Sequence, residues 1–113
     1  MARLHYVELP SGNIGASKNF YADAFGWTFT DFGPSYAATT TGDTDVGISG
    51  DPAEATARLL PVIQVDNIEH QRAAVIKAGG QISRDIFTFP GGRRFHFTDP
   101  DGHELGVTQL DRE

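Results

Sequence analysis

The chain contains an internal repeat, and this repeat limits the folds that it can adopt. The segment YVELPSGNIGASKNFYADAFG aligns with LPVIQVDNIEHQRAAVIKAGG at an offset of 54 residues, which places Asn13 on Asn67. Further along, TGDTDVGI aligns with PDGHELGV at an offset of 59 residues, which places Gly47 on Gly106. The second copy is therefore longer by five residues (59 minus 54), and we expect the extra length within residues 84–92.

Each copy begins with an apolar strand and continues into a helix. The strands LHYVELP and LPVIQV both run towards an asparagine whose side chain can cap a helix by accepting hydrogen bonds from its first amides. The first helix should end at Gly26, where a left-handed conformation costs least. We expect one stripe of side chains on this helix to be buried, made of Ile14, Ser17, Tyr21 and Phe25.

Three short strand-like runs follow each helix, separated by turn residues. They read WTFTDF, SYAATT and DVGIS in the first copy, and QISRDIF, RRFHFT and ELGVTQ in the second. The sequence therefore predicts two βαβββ modules. Module one spans about 3–50, a linker about 50–58, and module two about 59–110.

Composition limits the chemistry that such modules can support. The chain has no cysteine, so disulfides, thiolate nucleophiles and cysteine-bound zinc are excluded. A formal net charge of -6 argues against nucleic acid or an anionic membrane as the partner, because both require a basic surface. No apolar segment reaches membrane-spanning length, and the first residues do not resemble a secretory signal. We expect a cytoplasmic protein.

The order of motifs VELP, NFYADAFGW, KAGG and GGRRFHFTDPDGHELGV resembles that of the vicinal oxygen chelate superfamily, which includes glyoxalase I, bleomycin-resistance proteins and extradiol dioxygenases. The resemblance covers essentially the whole chain. It implies one α+β domain over residues 1–113, in which two tandem βαβββ modules form an incomplete eight-stranded barrel. It also implies a concave pocket for a small molecule, and a homodimer.

Metal-dependent members of the superfamily take their ligands from the first and last strand of each module. The matching positions in this sequence are Tyr6, Gly47, Leu60 and Gly106. None of these side chains is a good metal ligand, so the resemblance predicts no cofactor. The alternative is a divalent metal in an unconventional site, held by His5, Glu8, His96 or Glu104.

Side chains alternate between the two faces of a strand, so the matching positions also indicate which other residues should face the pocket. Glu8 and His96 are the candidate catalytic residues, with either as a possible general base. The candidate ligand-binding residues are Tyr6, Trp27, Tyr36, Val62, Arg94 and Glu104. Gly47 and Gly106 should leave room for a ligand. Two structural alternatives stay open: an ion pair between Glu8 and Arg94, and a core role for Trp27.

The FTDPDGHELGV stretch holds two aspartates, a histidine and a glutamate within six positions. Because it aligns with TTTGDTDVGIS, it is better interpreted as the turn of a hairpin than as a metal site. Three functions remain open: a metal-independent small-molecule binding protein, a metal-dependent lyase, isomerase or dioxygenase, and a cofactor-free acid-base enzyme.

Overall fold

The computed structural model describes residues 2–111 and confirms the α+β class with two βαβββ modules. The first module consists of β1 (Arg3–Pro10), α1 (Ile14–Phe25), β2 (Thr30–Asp31), β3 (Tyr36–Ala38) and β4 (Asp45–Ser49). The second consists of β5 (Leu60–Gln64), α2 (Ile68–Lys77), β6 (Gln81–Phe89), β7 (Gly92–Thr98) and β8 (Glu104–Leu110). Neither helix in this part of the chain is long and apolar enough to cross a membrane.

Both helices begin where the sequence predicts. The Asn13 side chain accepts a hydrogen bond from the Ala16 amide at 3.0 Å, and the Asn67 side chain accepts one from the His70 amide at 3.0 Å. The first helix ends at Gly26, which has a left-handed φ of 72° that a side chain would oppose. The matched caps confirm that the repeat marks two equivalent entries from strand into helix.

The chain forms two compact units, which divide within β1 and at the start of β5. The first unit contains residues 6–60, and its strands lie in the order β2-β3-β4-β1. The pairs β2–β3 and β3–β4 are antiparallel, whereas β1 and β4 are parallel. Gly47 on β4 is therefore flanked by Glu8 on one neighbouring strand and Ala38 on the other.

The second unit contains residues 2–5 and 61–111, and its last four strands lie in the order β5-β8-β7-β6. The parallel pair here is β5 with β8. Its core consists of Val65, Ile68, Phe95 and Val107, against which Phe97 and other partly buried residues pack. Phe95 and Phe97 thus occupy the apolar side of β7, which leaves Arg94 and His96 for the other side.

The strand β6 absorbs the greater length of the second copy. It spans nine residues where β2 spans two. Its pairing with β7 shifts register twice, between Ile82 and Arg84 and again between Arg84 and Phe87. Such irregularities re-aim side chains relative to a regular strand. They place Arg84 opposite His96, on the side of the sheet away from the core.

Two predictions for the first module hold only in part. Ile14, Ser17 and Tyr21 of the predicted stripe are half-buried, but the α1 helix buries no residue fully and Phe25 is 61% exposed. Its aromatic rings stack mainly on one another, with the Tyr21 centroid 6.2 Å from that of Phe25 and 5.4 Å from that of Trp27. The predicted strand WTFTDF contains only the two-residue β2. Both errors arise because aromatic residues were interpreted as core residues, whereas here they form a cluster at the surface.

The DPDG segment forms the hairpin turn that the sequence predicts. The Asp99 amide donates to the His103 carbonyl at 3.0 Å, and the Asp99 carboxylate accepts from the amides of Asp101 and His103. Gly102 has a φ of 85°, which favours glycine. The turn connects β7 to β8 and places Glu104 at the first position of β8.

Candidate functional site

The residues that the sequence nominates for a site fall in both units. Tyr6, Glu8, Trp27 and Tyr36 belong to the first unit, and Val62, Arg94, His96 and Glu104 to the second. Within the first unit the structure brings Tyr6, Glu8 and Tyr36 into one hydrogen-bonded group. Within the second it joins His96 to Glu104. Trp27 lies outside the first group.

Three side chains of the first unit form a continuous hydrogen-bonded chain, which we call the tyrosine–glutamate chain: Tyr6, Tyr36 and Glu8. The two phenolic oxygens lie 2.5 Å apart, and the Tyr36 hydroxyl donates to Glu8 Oε2 at 2.9 Å. A phenol has one proton, so Tyr36 can donate only once. Because that proton goes to Glu8, the Tyr6 hydroxyl must donate to the Tyr36 oxygen.

Burial keeps the Tyr36 hydroxyl protonated, so it remains a hydrogen-bond donor. Burial raises the pKa of the Tyr36 hydroxyl well above its ordinary value, and the charge of Glu8 and the contact with Tyr6 raise it further. Glu8 itself is only 4% exposed. A buried carboxylate requires hydrogen-bond donors, and Tyr36 supplies one of them.

Gly47 makes room for the two phenol groups rather than for a ligand. A Cβ atom placed on Gly47 would lie 1.9 Å from the Tyr6 hydroxyl and 2.2 Å from that of Tyr36, far inside contact distance. The expectation that this glycine leaves space for a ligand is therefore wrong. Two hydroxyl groups fill the space where metal-dependent members of the superfamily would place a carboxylate or a histidine.

In the second unit, His96 and Glu104 form a carboxylate–imidazole pair. Nδ1 of His96 lies 3.2 Å from Oε2 of Glu104, and the same oxygen accepts a hydrogen bond from the Ser83 hydroxyl at 3.0 Å. The His96 side chain is 2% exposed. The pair is held by β7 and β8, because Gly106 lies opposite His96 in their register and Glu104 shares its face.

The surroundings of His96 keep its ring neutral near pH 7. Burial lowers the pKa of His96, the positive charges of Arg94 and Arg84 lower it further, and the nearby Glu104 only partly offsets them. A neutral ring carries one proton, and the contact with the Glu104 carboxylate places that proton on Nδ1. Nε2 then presents a lone pair. It is buried and has no hydrogen-bond partner among residues 2–111.

Sequence reasoning missed two residues that lie beside His96. The Cζ atom of Arg84 lies 3.7 Å from the centroid of the Phe87 ring, and that centroid is 5.9 Å from the centroid of His96. The register shifts in β6 determine which of its side chains meet β7, and a simple alternation of faces does not anticipate them. The sequence signal for this irregularity was the extra length of the second copy, which is expected within residues 84–92.

The two remaining candidates occupy different environments. Trp27 is 38% exposed, which contradicts a core role, and its ring stacks on Tyr21. It lines an open cleft of about 450 Å³ together with Gly26, Thr28, Thr30, Thr39, Thr40, Thr41, Thr44 and Val46. Val62 is 2% exposed and lies opposite Gly106 in the β5–β8 register. Val62 has no hydrogen-bonding group, and Trp27 has only the indole N–H, which can donate one hydrogen bond.

The residues at the superfamily's metal positions do not fit a metal ion. A phenol, a leucine and two glycines provide no set of first-row metal ligands. Among residues 2–111, no three histidine or carboxylate side chains are grouped so that they could hold a metal ion.

Replacing Gly47 with alanine should destabilise the protein through the tyrosine–glutamate chain. The new methyl group must displace two phenols, and overpacking of this kind costs roughly 1–3 kcal/mol. In a Tyr6→Ala background the same replacement should cost clearly less, because much of the clash is gone. Urea denaturation of the four proteins in this double-mutant cycle measures the coupling.

Gly12→Ala is the matched control for this cycle, since a Cβ atom there meets nothing within 4 Å. It should leave the free energy of unfolding nearly unchanged. Equal costs of Gly47→Ala in both backgrounds would show that the phenols do not occupy this space.

The lowered pKa of His96 predicts a loss of stability in mild acid. The unfolded chain binds a proton at His96 near the ordinary pKa of about 6.5, whereas the folded protein resists protonation. The corresponding stability is present above pH 6.5 and is lost as the pH falls below that value. Urea denaturation at pH 7.5 and pH 5.5 should therefore show a smaller pH-dependent loss for His96→Gln than for the wild type.

His70→Gln provides the comparison, because His70 is exposed on α2. It should retain the wild-type difference between the two pH values. If His96→Gln also retained the full difference, protonation of His96 would not be linked to folding.

Comparison with known proteins identifies the family of this chain. The model of the Glyoxalase/Bleomycin resistance protein/Dioxygenase superfamily matches residues 3–107. The chain is 30% identical over 119 aligned residues to "Putative glyoxylase CFP32" of Mycobacterium bovis, and equally to that of Mycobacterium tuberculosis. The alignment covers 96% of this chain but 46% of each relative, so the chain spans about half of their length.

Solved structures with lower identity share the fold. Methylmalonyl-CoA epimerase from Mycobacterium tuberculosis superposes with a TM-score of 0.75 at 10% identity, over 96% of this chain and 88% of that one. The Mn(II)-bound glyoxalase from Novosphingobium aromaticivorans gives a TM-score of 0.69 at 21% identity, over 100% of this chain and 43% of that one. Because the family model covers most of its length, the chain belongs to the Glyoxalase/Bleomycin resistance protein/Dioxygenase superfamily.

Proposed function

We propose that this protein binds a small polar or aromatic molecule without the metal ligands typical of the superfamily. The observation that carries the proposal is the tyrosine–glutamate chain of Tyr6, Tyr36 and Glu8, whose phenols fill the space above Gly47. Hydroxyl groups and a carboxylate can orient a ligand through hydrogen bonds, whereas they make a poor site for a transition metal. Pockets for small molecules combine apolar walls with a few such groups.

The direction of the hydrogen bonds within the tyrosine–glutamate chain limits which groups of a ligand it can bind. The Tyr6 proton is used in the contact with Tyr36, so the Tyr6 oxygen can act towards a ligand only as an acceptor. Glu8 is acceptor-only while it is ionised. A ligand that contacts this group should therefore carry an N–H or O–H donor, and removing that donor should weaken binding.

A cofactor-free acid-base enzyme is the second candidate, with Glu8 and His96 in the catalytic roles. One observation favours it: the imidazole of His96 is oriented by Glu104 and presents a lone pair at a buried Nε2. A neutral histidine oriented by a carboxylate is a common general base. If the protein is an acid-base enzyme, His96→Asn should abolish turnover and change the ligand affinity by no more than a few fold. Unchanged turnover in this variant would exclude the catalytic role of His96.

We further propose a cytoplasmic homodimer in which residues 1–113 form one domain. Support for self-association comes from the large exposed aromatic residues of the first unit, among them Phe20, Phe25 and Phe32, which are 60%, 61% and 55% exposed. Apolar surface of this kind is often covered by a partner. Light scattering on the purified chain distinguishes one copy from two.

Ligands should raise the melting temperature of the purified chain by mass action. A fluorimetric screen of aromatic and polar small molecules is expected to give compounds that shift the transition by several degrees. For a compound that contacts the tyrosine–glutamate chain, Tyr36→Phe should weaken binding about tenfold, because the Tyr6 oxygen and Glu8, which accept the ligand's hydrogen bond, lose the hydroxyl that orients them. Tenfold corresponds to roughly 1.4 kcal/mol, the size expected for one hydrogen bond that involves a charged group.

Tyr21→Phe is the matched control, because it removes the same hydroxyl from a residue of the surface aromatic cluster. It should leave the affinity unchanged. The binding function would be contradicted if no compound shifted the transition, and the tyrosine–glutamate chain would have no part in it if both variants bound equally well.

A further inference from the structure

The open cleft beside Trp27 is lined mostly by hydroxyl groups. We call it the threonine cleft, because six of its lining residues are Thr28, Thr30, Thr39, Thr40, Thr41 and Thr44. Its volume of about 450 Å³ falls within the range of roughly 300–1,000 Å³ that is usual for small-molecule sites. All of its lining residues belong to the first unit. The cleft is therefore a candidate binding site within one compact unit.

The threonine cleft lies on the other face of the sheet from the tyrosine–glutamate chain. Gly47, beside the two phenols, pairs with Ala38 across β4 and β3. Their chain neighbours Val46 and Thr39 are joined by a backbone hydrogen bond of 2.9 Å, and both line the cleft. Because successive side chains along a strand point to opposite faces, Val46 and Thr39 face away from the phenols. The cleft is thus separate from the residues that carry the proposed function.

A buried carboxylate fixes two of the hydroxyl groups. Asp45 is 7% exposed, and its Oδ1 accepts hydrogen bonds from the hydroxyls of Thr39 and Thr41, each at 2.8 Å. Burial alone would raise the pKa of Asp45, but these bonds and those from the Thr41 and Gly42 amides outweigh it and lower the pKa. The ionised carboxylate only accepts, so both hydroxyls donate to it.

The oxygens of these two hydroxyls therefore act on a ligand as acceptors of fixed direction. Thr39 Oγ1 accepts from the Val46 amide at 3.1 Å, and Thr41 Oγ1 accepts from the Asp43 amide at 3.2 Å. A hydroxyl oxygen has two lone pairs, so each can accept one more hydrogen bond. The same hydrogen bonds already hold the loop in place, so a ligand does not have to order it. The other four threonines are exposed, and their hydroxyls can both donate and accept.

Trp27 adds an apolar surface to this set of hydroxyls. Its side chain lines the cleft and is 38% exposed, while its ring stacks on Tyr21 with the centroids 5.4 Å apart. A tryptophan combines a broad apolar face with one N–H donor. Phe20, Phe25 and Phe32, which support the proposed homodimer, do not line the cleft. The two proposals therefore use different residues.

The lining of the threonine cleft carries no charge, because it consists of threonine, tryptophan, valine and glycine. The nearby Asp45 carboxylate already accepts four hydrogen bonds from the protein. An ionic ligand would lose its hydration without gaining an opposite charge, which is unfavourable. The net charge of -6 adds repulsion for an anion. The cleft therefore favours a neutral ligand.

We infer that the threonine cleft binds a neutral carbohydrate in its pyranose form. The apolar C–H face of the sugar ring stacks on Trp27, and its hydroxyl groups donate to the oxygens of Thr39 and Thr41. The exposed threonines exchange further hydrogen bonds with the remaining hydroxyls of the sugar. The inference goes beyond the proposed function, since it assigns a second site to a separate set of residues.

The chain has a single tryptophan, so its fluorescence reports directly on the cleft. Methyl β-glucopyranoside is titrated into the full chain while the fluorescence of Trp27 and its quenching by acrylamide are recorded. The sugar should bind with roughly millimolar affinity and protect the ring from acrylamide. In spectra of the ¹⁵N-labelled protein, the amides that shift should be those of residues 26–30 and 39–46.

Three other probes define the ligand class. Tetrahydropyran-2-methanol keeps the ring but lacks the ring hydroxyls, methyl β-glucuronide adds a negative charge, and choline is a cation of the kind that aromatic rings also bind. The glucopyranoside should bind about fivefold more tightly than each of them, or better. Equal binding of tetrahydropyran-2-methanol would reduce the cleft to an apolar surface, and tighter binding of either ion would contradict the choice of a neutral ligand.

Trp27→Leu should weaken binding of the glucopyranoside about tenfold, as measured by the amide shifts. Phe32→Leu is its matched control, because Phe32 is an aromatic residue outside the cleft that is 55% exposed. Thr30→Val removes one hydroxyl of the cleft and should weaken binding about fivefold, as expected for one hydrogen bond. Thr88→Val, on an exposed threonine of β6, should leave the affinity unchanged.

The spectrum of each variant shows whether it is folded. If Trp27→Leu does not fold, the comparison of Thr30→Val with Thr88→Val decides the assignment. Absence of any effect of the glucopyranoside on the fluorescence and on these amides, or equal affinity in each variant and its control, would overturn the inference. The proposed function is tested with compounds whose affinity depends on Tyr36, so the two proposals can fail separately.

Discussion

The first unit depends on a short contact between two phenol groups that only a glycine permits. Gly47 lies in the middle of its sheet, between β1 and β3, and the hydroxyls of Tyr6 and Tyr36 fill the volume that a side chain there would need. Their hydrogen bond continues to Glu8, a carboxylate that is almost completely buried. Burial of that charge is tolerable because hydrogen bonds accompany it.

In the second unit, the polar face depends on the irregular geometry of β6. The two register shifts of β6 bring Arg84 opposite His96 and Phe87 opposite Arg94, so that this face gains two cations and a ring. Burial and the positive charges of Arg94 and Arg84 lower the pKa of His96, so Nε2 remains an acceptor. The repeat thus places a polar group on each module, yet the two groups differ: one is a chain of hydroxyls, the other an imidazole beside guanidinium groups.

Much of the fold follows from the sequence because the signals are local and occur twice. Asn13 and Asn67 cap their helices, and Gly26 takes the left-handed conformation at the end of α1. The alternation of faces on β7 also holds, since Phe95 lies in the core and His96 on the other face. These features depend on one residue and its immediate neighbours, which is the information that a single sequence contains.

The errors concern contacts that no local pattern encodes. The absence of a side chain at Gly47 was compatible with a ligand or with neighbouring groups, and only the positions of the two phenols decide between them. Likewise, the apolar stripe on α1 and the ring of Trp27 could have entered a core, but these aromatic rings stack on one another at the surface. Arg84 and Phe87 were missed because the register shifts of β6 depend on pairing with β7.

In the first unit, hydrogen-bonding groups occupy the space that metal ligands fill in metal-dependent members of the superfamily. The most direct test is elemental analysis by mass spectrometry of the full chain, purified without chelators and then incubated with Mn(II), Ni(II) or Zn(II) and desalted. The account predicts far less than one bound metal ion per chain, with no difference between the wild type and Glu8→Gln. One ion per chain in the wild type that is lost in Glu8→Gln, but kept in a Glu69→Gln control, would contradict it.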